Sequence, residues 1–192
     1  MENASVQSTA DQIAKYLTEG DRLDAAACLD IEINGLKLVL DPAEADLPTD
    51  RQKLVLRYWQ ALPKVRDIPN QVKVEPEALL PALGYLMLVD VIEQPSGFRY
   101  SLYGSKIASI AGFDMTGKTV RDIATVNAIQ LFFAACYRAV IILRRPLFTV
   151  HEAPPSITVS HWNRLILPLG RKGEIERFLV CNVPLHNGVV AV

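Results

Sequence analysis

Cysteine is scarce in this chain. Cys28, Cys136 and Cys181 are far apart and odd in number, so they do not form the paired framework of a disulfide-stabilised secreted domain. We therefore expect buried, reduced thiols in a cytoplasmic protein. The first residues lack the basic-then-apolar order of a signal peptide, which agrees with that location. A chain of 192 residues can bury enough apolar surface to fold without a disulfide or a metal.

The chain also lacks an excess of charge of either sign. Its net charge is −1, 50% of its residues are hydrophobic and 21% are charged. This balance argues against disorder and gives no electrostatic reason to expect a nucleic-acid partner. The most apolar run, residues 128–143, contains Arg138 and is shorter than a membrane span. We expect it to be a buried helix and expect no membrane insertion.

Signatures of common catalytic and cofactor sites are missing as well. The sequence has no P-loop, no GxGxxG after a predicted strand, no GxSxG, and no CxxC, HExxH or EF-hand loop. We expect no catalytic residue and no metal site, and the sequence names no cofactor. His151 and His161 fall in neighbouring predicted strands, where they could form a ligand pair for haem or a metal. The simpler interpretation is that each is an exposed or hydrogen-bonded polar residue.

The first 48 residues predict a helix and a hairpin. Apolar residues recur at helical spacing over 5–19, and Gly20 ends the pattern. They are Val6, Ala10, Ile13 and Leu17. This stripe fits a dimer seam or packing on the chain's own domain. Two alternating runs over 29–40 flank Asn34-Gly35, a strong hairpin signal. We interpret residues 1–48 as an N-terminal extension.

A helix with a broad apolar face is predicted over 49–62. Thr49 and Gln52 have the spacing of a capping box, and Pro63 ends the helix. Trp59 lies on the apolar side, and we expect it to anchor the core or a dimer interface.

A region of short elements follows, with residues 98–120 at its centre. A short helix is predicted over 76–83, followed by strands over 85–93 and 98–103. Gly104 and Gly112 then bound another short helix. A long helix is predicted over 127–145, since Pro146 stops it, and three strands over 147–153, 157–169 and 176–185.

Several of these segments together resemble a bacterial family of PAS-type domain proteins that carry no attached output module. They are Trp59 in its helix, PEALLPALGYLMLVDV at 76–91, FRYSLYGSKIASIAGFDMTGKTV at 98–120 and LILPLGRKG at 165–173. The resemblance covers residues 54–184. It departs from the expected pattern at Arg171-Lys172, where a small or acidic turn would be typical.

The resemblance implies an α+β fold. Its sheet would have five antiparallel strands with helices on one face. The PAS-like domain would span residues 49–185, including its flanking helix, and 186–192 would be a tail.

The same resemblance implies a sensory or regulatory protein rather than an enzyme. Such a module would bind a small-molecule ligand, a partner signalling protein or both. Separately, the two amphipathic N-terminal helices predict a homodimer with the 49–62 helix or the 5–19 helix in the seam. It does not identify the ligand. Two alternatives stay open: an interaction module whose core is closed by side chains, and a small α+β enzyme of unknown reaction.

We expect a ligand pocket between the long helix and the inner face of the sheet. Its apolar wall would come from Ile110, Phe113, Phe133, Cys136 and Tyr137. Its polar groups would come from Tyr103, His161, Arg164 and Asn182.

Strand alternation puts either His161 and Asn163 or Trp162 and Arg164 on the inner face of the sheet. We call the residues that point inward the inward pair. Arg164 would favour an acidic ligand, and His161 a neutral ligand or a pH-dependent response. Alternatively, Asp90 or Glu152 neutralises the inward pair and the core is closed.

Overall fold

The computed structural model describes residues 2–19, 33–92, 97–123, 127–153, 157, 159–186 and 189–190. Several sequence predictions lie outside these ranges. They concern Cys28, the first arm of the 29–40 hairpin, the Pro95-Ser96 turn and the Pro154-Pro155 joint.

The N-terminal extension forms a helix and an edge strand. Helix α1 spans Glu2–Glu19 and strand β1 spans Lys37–Leu40. The predicted turn at Asn34-Gly35 is present, with Gly35 at a φ of +60°. The strand after this turn pairs with a later strand of the main sheet. The N-terminal extension therefore adds an edge strand to the main sheet.

The flanking helix α2 spans Asp50–Ala61. Its N-cap is Thr49, whose side chain accepts a hydrogen bond from the backbone N–H of Gln52. A two-stranded ribbon of β2 (Lys64–Val65) and β3 (Ile68–Pro69) follows. A 3₁₀ helix that is kinked at Leu79 then spans Pro76–Tyr85, where a short helix was predicted.

The central elements follow the predicted order of strand, strand, short helix and long helix. They are β4 (Leu86–Ile92), β5 (Gly97–Tyr103), α3 (Ser105–Ala111), a 3₁₀ turn (Val120–Asp122) and α4 (Asn127–Leu143). Gly112 ends α3 with a left-handed φ of 80°.

The last four strands complete one antiparallel sheet. They are β6 (Leu147–Glu152), β7 (His161–Arg171), β8 (Glu174–His186) and β9 (Val189–Val190). The strand order is β1-β6-β7-β8-β4-β5, and β9 pairs with the end of β8. The α+β class and the antiparallel sheet are confirmed. The sheet has seven strands because β1 and β9 join the five that the resemblance implied.

Helices cover both faces of this sheet, whereas one covered face was expected. Residues of α1, α3 and α4 share one apolar core with the sheet, and residues of α2 and the 3₁₀ helix share a second core on its other face. The reason lies in the central strands. Ile166 of β7 belongs to the first core while Leu165 and Leu167 belong to the second. A strand that is apolar on both sides must be covered on both.

Both N-terminal helices place their apolar sides within the chain. Ala10 and Ile13 of α1 are buried in the core that also contains α4. Val55, Leu56 and Trp59 of α2 are buried against the opposite face of the sheet. The apolar stripe of α1 therefore packs on its own domain, one of the two arrangements left open above. Within the described ranges, no helix has both the length and the hydrophobicity needed to cross a membrane.

Candidate functional site

A row of three polar side chains crosses the face of the sheet that α4 covers. Arg164 of β7 is paired with Thr149 of β6 on one side and with Asn182 of β8 on the other. Alternation along β7 and β8 puts them on the same face as Ile166 and Val180, which belong to the α4 core. All three polar residues are buried. The register thus brings them together although they are far apart in the sequence.

Arg164 is the centre of this row, and its side chain is only 1% exposed. Its guanidinium carbon lies 3.8 Å from the centre of the Phe133 ring and 5.4 Å from that of Tyr137. One terminal nitrogen donates a hydrogen bond to the Tyr137 hydroxyl. Its Nε has no hydrogen-bond partner. Two aromatic residues of α4 therefore hold the guanidinium beneath the helix, with its Nε donor unused.

No carboxylate within the described part of the chain forms an ion pair with Arg164. The groups that surround it are the phenols of Tyr100, Tyr103 and Tyr137 and the thiol of Cys136. Burial raises the pKa of Tyr137 and of Tyr100, so both phenols are neutral at ordinary pH. Burial also raises the pKa of Cys136 to about 12. Because an arginine stays protonated in proteins, the site has a buried positive charge with neutral neighbours.

Four buried polar side-chain atoms in the described part of the chain have no hydrogen-bond partner, and all lie in or beside the row. They are Thr149 Oγ1, His151 Nδ1, Arg164 Nε and Asn182 Oδ1. Buried polar groups are nearly always paired, so such a cluster needs an explanation. Its members include donors and acceptors and share one face of three adjacent strands.

His151 extends the site along β6, two residues beyond Thr149. Its ring makes edge contacts with Phe132 and Phe133, with centroids 5.7 and 5.4 Å away. Burial, together with the charges of Arg164 and His161, lowers the pKa of His151 to about 3. The imidazole is therefore neutral at ordinary pH and can take part in hydrogen bonds without adding charge.

Most of the predicted pocket residues lie on the α4 side of the sheet. The residues on this side are Tyr103, Ile110, Phe113, Phe133, Cys136, Tyr137, Arg164 and Asn182. Phe133, Cys136 and Tyr137 are on α4 beside the polar row. The rings of Tyr103 and Phe113 lie 6.3 Å apart and tilted to each other near the end of β5, and Tyr103 also meets the ring of Tyr100 edge-on at 5.5 Å.

His161 does not join them. It precedes Trp162 on β7 and pairs with Glu152, so alternation sends it to the opposite face from His151 and Arg164. Asn163 shares this opposite face. It lies near α2, where its carbonyl accepts a 3.0 Å hydrogen bond from Gln52. The structure thus places Trp162 and Arg164, and not His161 and Asn163, beneath α4. No group of three or more histidine, cysteine, aspartate or glutamate residues suited to a metal occurs in the described ranges.

Sequence reasoning did not include Thr149, His151 or Tyr100 among the pocket residues. Thr149 and His151 alternate with apolar residues along β6. This alternation would have indicated that both polar side chains share one face of the sheet, provided that β6 was assumed to pair with β7. Tyr100 shares one face of β5 with Phe98, two residues earlier, and both are buried. The missing information was the register between strands, which decides which side chains become neighbours.

A family model described as a PAS domain matches residues 49–181, a range that includes Thr149, His151 and Arg164. No curated protein and no solved structure matches this chain. The matched range covers more than half of the 192 residues, and this chain therefore belongs to the PAS domain family.

Proposed function

We propose that this protein is a cytoplasmic sensory or regulatory module that binds a small molecule between α4 and strands β6, β7 and β8. Binding there would be relayed to a partner signalling protein. The site would serve sensing and not catalysis.

The cluster of unpaired polar atoms beneath α4 carries this proposal. Leaving a buried donor or acceptor unpaired costs about 1–3 kcal/mol. A core that served packing alone would be more stable with apolar residues at Thr149, His151 and Asn182. A small molecule with complementary polar groups would satisfy these atoms, and Phe132 and Phe133 would supply apolar contact.

The surroundings of the site support a sensor more than the closed-core alternative. That alternative requires Asp90 or Glu152 to neutralise Arg164. Asp90 instead accepts a hydrogen bond from Arg177, and Glu152 is exposed on the strand position opposite His161.

The neutral state of the titratable groups favours binding over the enzyme alternative. Burial keeps the imidazole of His151 and the phenols of Tyr100 and Tyr137 uncharged at ordinary pH. A general acid or base works best with a pKa near the working pH. Here burial moves the pKa of each of these groups away from that pH.

Helix α4 offers a route from the ligand to the rest of the molecule. One side of α4 carries Phe133 and Tyr137, which contact Arg164. Arg138 of α4 donates a 2.8 Å hydrogen bond to Gln7 of α1. A ligand that shifts α4 would therefore also act on α1, provided that it binds the two positions with different affinity.

The 3₁₀ helix presents a surface for the partner protein. Leu80 is 65% exposed and Leu83 is 38% exposed. Residues three apart share a side of a 3₁₀ helix, so the two leucines face the same way. Exposed apolar side chains of this kind are common at protein interfaces.

Mass spectrometry of the material released when the purified protein is denatured tests the ligand proposal. We expect a small molecule in amounts comparable with the protein. The variant Thr149→Val/Asn182→Leu should retain far less of it, while the exposed control Thr18→Val should retain as much as the original chain. If nothing copurifies and no small molecule in a fragment library shifts the amide resonances of α4, β6 or β7, the closed-core interaction module replaces the sensor.

A further inference from the structure

We infer that the ligand is a small monocarboxylate whose negative charge is neutralised by Arg164 and whose body carries a hydrogen-bond donor. This inference rests on the proposed ligand-binding function. It adds the chemical class of the ligand and the orientation in which it binds.

The charge of the site sets the charge of the ligand. Arg164 is 1% exposed and forms no ion pair with a described acidic residue. The π faces of Phe133 and Tyr137 attract the guanidinium, but such contacts do not cancel its charge. A buried charge without a counter-charge is costly. One carboxylate balances one guanidinium, whereas a phosphate dianion would leave an excess negative charge.

The free donors of the row fit the carboxylate end. Arg164 Nε has no partner, and Thr149 Oγ1, on the paired position of the next strand, is also free. A carboxylate accepts several hydrogen bonds and binds a guanidinium well through two parallel contacts. A carboxylate between Arg164 and Thr149 would satisfy both unpaired groups.

The unpaired acceptors lie on the two strands that flank Arg164, and they fit a hydrogen-bond donor on the body of the ligand. Asn182 Oδ1 is unpaired on β8, and His151 Nδ1 is unpaired on β6. A neutral imidazole nitrogen accepts a hydrogen bond when the other nitrogen holds the proton. A hydroxyl group on the ligand would meet one of these acceptors. The rings of Phe132 and Phe133 next to His151 would contact the apolar part.

A binding series tests this class directly. The probes are straight-chain carboxylates from acetate to octanoate, their 2-hydroxy counterparts, the matching neutral primary amides, and inorganic phosphate. Each is titrated into the full chain, and binding is followed by amide chemical shifts and by the melting temperature. The length of the carboxylate that binds best shows whether the natural ligand is a short metabolic acid or a fatty acid.

Single substitutions test whether Arg164 causes the preference for carboxylates. We expect Arg164→Met to weaken the best carboxylate about 10- to 100-fold, the loss typical of a charge-assisted hydrogen bond. Amide binding should not change. Arg171→Met is the matched control, because Arg171 lies on the same strand and is 63% exposed beside Glu176. If Arg164→Met does not fold, Arg164→Lys and Thr149→Val provide the measurement, each with a several-fold loss expected.

The outcomes separate this inference from the function on which it rests. Carboxylates that bind, with affinity lost in Arg164→Met and kept in Arg171→Met, support it. Amides or phosphate that bind as well as carboxylates overturn it, as does a neutral molecule copurifying with the protein, and ligand sensing then stands. If no probe binds and nothing copurifies, both the inference and the proposed function fail, and Arg164 is held by its aromatic neighbours alone.

Discussion

Arg177 donates a hydrogen bond from Nε to Oδ1 of Asp90 across 2.6 Å, at paired positions of strands β8 and β4. The sequence left Asp90 as one of two acids that could neutralise the inward pair of β7. Arg99 also lies opposite Asp90, on β5, but its terminal nitrogen is 3.9 Å away and its side chain is 49% exposed. Asp90 therefore lies between two arginines, of which Arg177 makes the closer and more buried contact.

The substitution Arg177→Met should lower the free energy of unfolding by about 2 kcal/mol, because it removes a charge-assisted hydrogen bond between two largely buried groups. The matched change Arg99→Met should cost less than about 0.5 kcal/mol, since an exposed pair at that distance contributes little. Urea denaturation at pH 7 measures both. Equal losses for the two variants would contradict the assignment of Arg177 as the main partner.

Acid should destabilise the protein through His151. Its pKa is about 3 in the folded chain against 6.5 in an exposed histidine, so the unfolded state binds the proton first as the pH falls. Stability is then full above pH 6.5 and is lost progressively between pH 6.5 and 3. From pH 6.5 to 5 this amounts to about 2 kcal/mol. Urea midpoints across that range measure the loss.

The variant His151→Phe should remove this part of the pH dependence, because a phenyl ring among Phe132 and Phe133 does not titrate. The exposed His186 provides the control: His186→Phe should keep the dependence of the original chain. An unchanged pH profile in His151→Phe would show that another group causes the acid sensitivity.

Trp59 anchors α2 on the sheet. It is 7% exposed, and its indole N–H donates a 2.7 Å hydrogen bond to the carbonyl of Pro168. Replacing it by alanine should cost about 3–5 kcal/mol, the range for large buried aromatic side chains. Trp59→Phe should cost about 1–2 kcal/mol, since it keeps most of the apolar contact and loses the hydrogen bond. Unchanged melting of Trp59→Ala would contradict this role.

We expect the protein to form a homodimer, because two-fold dimers are the commonest assemblies among soluble oligomers. Light scattering at high micromolar concentration should give twice the mass of one chain. The inner sides of α1 and α2 are used within the chain, so a seam at either helix must use its outer side. Ser8→Trp on α1 or Gln60→Trp on α2 should then weaken the dimer, because both positions are exposed. A monomer at these concentrations would refute the prediction.

Local sequence determined most of the elements. Thr49 and Gln52 set the start of α2, Pro63 prevents its continuation, and Gly112 ends α3. These signals act within a few residues, through capping hydrogen bonds and allowed backbone angles, so they can be recognised without a tertiary structure. The resemblance to PAS domains then implied that five of the strands form one antiparallel sheet.

Only the tertiary structure decided which residues form the candidate site. Because β7 is apolar on both faces, its sequence does not show whether His161 or Arg164 lies beneath α4. Pairing with β6 and β8 settles this, and it also makes neighbours of Thr149, Arg164 and Asn182. A shift of one residue in that pairing would turn a different set inward. Register depends on the contacts of the whole sheet, which no local stretch of sequence contains.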